Sequence, residues 1–68
     1  MNEDTLNMEI RQFLKKVGVT SQREIEHAIQ NAMDSGRLTG SELLGVKMTL
    51  EIASLDLTYR IEGDIALE

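Results

Sequence analysis

The hydrophobic rhythm of this chain changes once, near residue 45, and that change decides what it can fold into. Before it, apolar residues recur at helical spacing, first at Leu6, Ile10, Phe13, Leu14 and Val17, then at Ile25, Ala28, Ile29, Ala32 and Met33. Rows spaced by three and four residues form one apolar stripe on a helix. After it the period is two: Val46, Met48, Leu50 and Ile52 alternate with Lys47, Thr49 and Glu51. Leu55, Leu57, Tyr59 and Ile61 then alternate with Asp56, Thr58 and Arg60, the pattern of strands with one buried face. The chain is α+β, helical first and extended afterwards.

Start and stop signals divide the helical part in two. Asn2 or Asp4 can cap the first helix, Lys15 and Lys16 suit its negative C-terminal end, and Gly18 can take the left-handed conformation that stops it. Thr20 or Ser21 then caps a second helix, with Ser21-Gln22-Arg23-Glu24 as a capping box and Gly36 as the stop. Arg37 to Gly45 reads as a glycine-containing connector with a helical turn capped by Ser41 and with Leu43 and Leu44 beneath the sheet.

Charge sets the register of the strands. A two-residue turn at Ala53-Ser54 would oppose Lys47 to Arg60 and Glu51 to Asp56, both like-charged and destabilising. A four-residue loop, Ala53 to Asp56, keeps the same apolar face and opposes Lys47 to Glu62 and Thr49 to Arg60. Glu62-Gly63-Asp64 signals another turn, leaving Ile65 and Leu67 for a short third strand after a three-residue loop or bulge. The expected architecture is two N-terminal helices packed on one face of a small antiparallel β-meander, α-α-β-β-(β), in a single small domain spanning residues 1–68.

A chain of 68 residues has room for one domain and a modest core, and with no cysteine it has no disulfide to reinforce that core. Self-association is therefore one route by which such a core can be supplemented. No apolar run approaches the ~20 residues of a bilayer span, and no export leader opens the chain, so a cytoplasmic setting without a membrane partner is expected. The terminal Leu67-Glu68 is either native or a tag remnant. Twelve acidic against seven basic residues give a net charge of -5, which repels phosphate backbones unless the cations gather on one face.

Gly18-Val19-Thr20 resembles the turn of a DNA-reading helix-turn-helix, with the hairpin as a wing. Glu24 stands where such motifs commonly place an apolar residue, and Glu26 and Asp34 make the reading face acidic. Arg11, Lys15 and Lys16, with Thr20, Ser21 and Arg23 at the start of the second helix, form a candidate anion or partner surface. Capping and dipole complementation explain the same residues without a ligand. Glu24-x-x-His27 has a metal-site spacing but occurs once, without the further carboxylates such a centre needs. No nucleophile stands beside a base, no paired carboxylates line a pocket and no glycine-rich phosphate loop occurs, so no catalytic residue, metal or cofactor is assigned. Met33 and Met48 follow the apolar rows, Met8 falls off them as an exposed contact, and Tyr59 faces inward needing a partner for its hydroxyl.

Met1-Asn2-Glu3-Asp4-Thr5, the run Phe13-Leu14-Lys15-Lys16-Val17-Gly18-Val19-Thr20-Ser21-Gln22-Arg23-Glu24-Ile25-Glu26 and the ending Glu62-Gly63-Asp64-Ile65-Ala66-Leu67 together resemble a family of small bacterial proteins of unknown function. The likeness covers nearly the whole chain and implies a bacterial cytosolic setting, with no activity or cofactor. The expected role is a non-enzymatic module that binds a protein partner or itself, helped by a strand edge that the short third strand leaves open. The alternative is nucleic-acid or other phosphate binding through Arg11, Lys15, Lys16 and Arg23, in a winged-helix-like manner.

Overall fold

The computed structural model describes all 68 residues, in the order α1 (Glu3–Asp34), β1 (Leu43–Ile52), a short 3-10 turn (Ala53–Leu55) and β2 (Leu57–Ala66). The chain divides into two compact units, Met1–Arg37 and Leu38–Glu68. The fold is α+β, but with one helix and a two-stranded hairpin where two helices and a meander were expected.

The expected helix stop at Gly18 is overturned because the apolar stripe does not break there. Leu6, Ile10, Leu14, Val17, Ser21, Ile25, Ala28 and Ala32 follow one another at spacings of 4, 4, 3, 4, 4, 3 and 4 along a single helix of 32 residues. Ser21 occupies one place in that series, so what resembles a second cap is a small polar residue inside the stripe. A helical glycine costs only about 1 kcal/mol relative to alanine. With no proline nearby, the backbone continues through Val17-Gly18-Val19. Only Gly36 and Gly40 among the glycines have positive φ, so Gly18 is not in a stop conformation.

The true ends of α1 are closed by local hydrogen bonds. Asn2 Oδ1 accepts from the Asp4 and Thr5 amides at 2.9 and 3.1 Å, with Glu3 and Asp4 in the first turn where the helix dipole favours anions. At the other end Arg37 N–H donates to Ala32 O at 2.8 Å and Gly36 N–H to Met33 O at 3.2 Å. This double closure around a residue at φ +79 is the Schellman arrangement, which glycine adopts without steric cost.

In the hairpin, Lys47 opposes Glu62 and Thr49 opposes Arg60, the register that the charge argument selects. The loop Ala53 to Asp56 closes with Asp56 N–H on Ala53 O and Asp56 in the left-handed region at φ 52, which aspartate tolerates. The expected turn at Glu62-Gly63-Asp64 and the third strand are absent: β2 runs straight through them, pairing Gly63 with Val46 and Ile65 with Leu44. Uninterrupted extension is what keeps Ile65 on the apolar face. The connector is also shorter than expected, since Leu43 and Leu44 begin β1 and no helical turn follows Ser41.

Gly18→Ala should raise thermal stability by about 0.5 to 1 kcal/mol, because alanine is the better helix former. A lower melting temperature for this variant would indicate a corner at residue 18. Asn2→Ala should cost helix stability at the low end of about 0.5 to 2 kcal/mol, and Thr20→Ala should cost no cap, both read by circular dichroism on heating.

Candidate functional site

The six residues of the expected anion surface all lie on α1. Arg11 and Lys15 stand one turn apart in one row, while Lys16 and Arg23 stand two turns apart in another. Thr20 and Ser21 are interior helical residues, so their amides belong to the helix's own ladder. The free N-terminus that would have bound an anion at this point is missing, and with it the turn of the helix-turn-helix. Ser21 is half-buried in the apolar stripe, apart from the cations. Shallow open depressions lie along the helix, one against Val19, Gln22, Arg23, Glu26 and His27 and another against Phe13, Lys16, Val17, Thr20 and Ser21. No three or more histidine, aspartate or glutamate side chains are gathered as metal ligands would be.

The apolar faces are the larger feature. In the hairpin, cross-strand partners share a face, so Leu44/Ile65, Val46/Gly63, Met48/Ile61, Leu50/Tyr59 and Ile52/Leu57 make one apolar surface. The other face carries Lys47, Thr49, Glu51, Thr58, Arg60 and Glu62, with an exposed Arg60–Glu62 ion pair at 3.9 Å that contributes little. Tyr59 is 60% exposed and Ile61 56%, so the hairpin by itself leaves open the face expected to be interior. On α1, Leu6, Ile10, Phe13 and Leu14 are between 42% and 56% exposed, and Met8 is exposed as expected. Neither unit by itself buries a residue.

The segment that opens the second unit, ahead of β1, holds a polar feature that sequence reasoning missed. The Glu42 carboxylate accepts from Thr39 N–H at 2.9 and 3.1 Å and from Gly40 N–H at 2.9 Å, while the Thr39 and Ser41 hydroxyls share a hydrogen bond of 3.1 Å. Thr39-Gly40-Ser41-Glu42 is a capping-box spacing, and that was the available signal. Here the box closes a turn ahead of a strand, with Gly40 at φ +101, instead of starting a helix. The Thr39 amide holds the Glu42 carboxyl below the ordinary glutamate value; desolvation, the next largest effect, opposes it, and the Gly40 amide adds to the lowering.

Over residues 1–68 the sequence matches a family of unknown function, DUF6494, and the chain belongs to that family. No solved structure matches it. No helix is long and apolar enough to cross a membrane.

A depressed carboxylate stabilises its surroundings fully above its unfolded pKa and loses that contribution as pH falls through the folded value. The Glu42 turn should therefore stay closed at neutral pH and open on acidification below the ordinary glutamate range. In an NMR titration the Thr39 and Gly40 amide shifts should follow the Glu42 carboxyl. Amides that move with a different midpoint, or a Glu42 titration above the ordinary value, would contradict the bracket.

Proposed function

We propose that this DUF6494 member is a non-enzymatic interaction module whose apolar surfaces are covered by another polypeptide, a second copy or a different protein. One observation carries it: the helical unit lines up apolar side chains on a stripe and the hairpin unit on a sheet face, and neither unit by itself buries any of them. A helix gains most of its stability by packing its apolar face, and a lone two-stranded hairpin is marginal in water. Contiguous exposed apolar surface on a small protein is the usual mark of a protein-binding site. Both strands are also edge strands, open to backbone pairing.

The same exposure supports a role without catalysis, since preorganised polar groups work best where water is excluded and neither unit by itself encloses such a place. Phosphate binding is the weaker alternative. Its cations are split between two rows of a helix that carries no free internal N-terminus, in a chain of net charge -5. A bacterial cytoplasmic setting belongs to the proposal and is carried by the resemblance alone.

Leu50→Glu, which sets a charge in the middle of the hairpin's apolar face, should weaken association at least about tenfold, the effect of a buried unpaired charge. Thr49→Glu, on the opposite face beside Arg60, should leave it intact. Sedimentation of the chain alone and retention of proteins from a lysate provide the readout. A wild-type monomer that retains no protein removes the proposal, and retention of DNA or RNA at low salt, lost steeply as salt rises, would establish phosphate binding in its place.

A further inference from the structure

We infer that α1 pairs with α1 of a second copy in antiparallel orientation, centred near Val19. The inference rests on the interaction-module proposal and names one partner for one of its surfaces. Three independent features of the helix support it.

The first is the period of the stripe. Its 4-4-3 spacing repeats every eleven residues, so that Leu6, Val17 and Ala28 are equivalent, as are Ile10, Ser21 and Ala32, and Leu14 and Ile25. A repeat of 11 residues in three turns corresponds to about 3.67 residues per turn, close to the natural helix, and holds one stripe against a nearly straight partner along the whole length.

The second is side-chain size, which is distributed asymmetrically along the stripe. Along the centre line of the stripe the N-terminal half carries Leu6, Ile10, Leu14 and Val17 and the C-terminal half Ser21, Ile25, Ala28 and Ala32, while Phe13 flanks it on one side and Ile29 and Met33 on the other. An antiparallel pair sets Leu6 against Ala32, Ile10 against Ala28, Val17 against Ser21 and Leu14 against Ile25. Large side chains then meet small ones in three of these four layers, the interdigitation that fills space between helices. A parallel pair in register would set large against large at one end and leave gaps at the other.

The third is charge. In an antiparallel pair, residues on one edge of the stripe face the same edge of the partner, and this alignment brings Lys16 beside Glu24 of the second copy on one edge. Arg11 and Glu26 fall together on the other edge. In parallel register opposite edges of the stripe face each other, which would bring Lys15 of one copy towards Lys16 of the other, like charges at one level.

The protein has no cysteine, so introduced ones report without background. Chains carrying Leu6→Cys mixed with chains carrying Ala32→Cys should form the mixed disulfide under mild oxidation, while Leu6→Cys chains alone should not cross-link, because antiparallel alignment holds their residues 6 about 39 Å apart. In wild-type background Lys16→Glu should weaken the dimer about three- to tenfold, and adding Glu24→Lys in the same chain should restore it, since these residues lie too far apart on one helix to pair within it. Disulfide formation by Leu6→Cys chains alone would indicate a parallel pair, overturning this inference and leaving the interaction-module proposal standing. Absence of both disulfides, or a wild-type chain that sediments as a monomer while retaining a different protein, would likewise overturn the pairing and not the module.

Discussion

Apolar surface that neither unit covers is the constraint on which everything else in this molecule depends. The helix concentrates its leucines, its isoleucines and Val17 on one stripe, and the hairpin sets Leu44, Val46, Met48, Leu50, Ile52 and their partners on one face, without burying a residue in either unit by itself. Burying such surface is worth about 25 cal/mol per Å², and it is the main term available to offset the entropy of ordering a chain. A chain of 68 residues without disulfides has few substitutes for it. Association with another polypeptide, as proposed, supplies that missing term and makes binding and folding one process.

Polar interactions, by contrast, are local and fix boundaries. Asn2 closes the start of α1, the Gly36 turn closes its end, Glu42 brackets the turn before β1, and Asp56 closes the hairpin loop. Each acts within a few residues, so each element is specified where it begins and ends. None of them covers apolar area. Good local specification beside uncovered faces is the combination expected of a piece that completes itself against a partner.

The hairpin was legible because two periodic signals agreed, alternation for the faces and charge for the register. Lys47 opposite Glu62 and Thr49 opposite Arg60 follow from avoiding like-charge pairs. The straight run of β2 through Gly63 was hidden by a glycine between two acidic residues, which mimics a turn although Gly63 pairs with Val46. The single helix was hidden in the same manner: Gly18 and Ser21 mimic a stop and a cap, while their places in the eleven-residue pattern show continuity. Local punctuation misled where periodicity did not. The helix start that was to give the candidate anion surface free amides is absent, since Thr20 and Ser21 are interior to the helix. The Glu42 bracket had a readable spacing, but the pattern is associated with helix starts and here precedes a strand.

The central claim, that the fold is completed by association, is tested most directly by the helical signal of the pure protein on dilution. Circular dichroism from high micromolar to nanomolar concentration should show helicity falling along a curve that coincides with dissociation measured by sedimentation, as mass action requires of a self-associating chain. Full, cooperative helicity retained in a chain that sediments as a monomer throughout would contradict it.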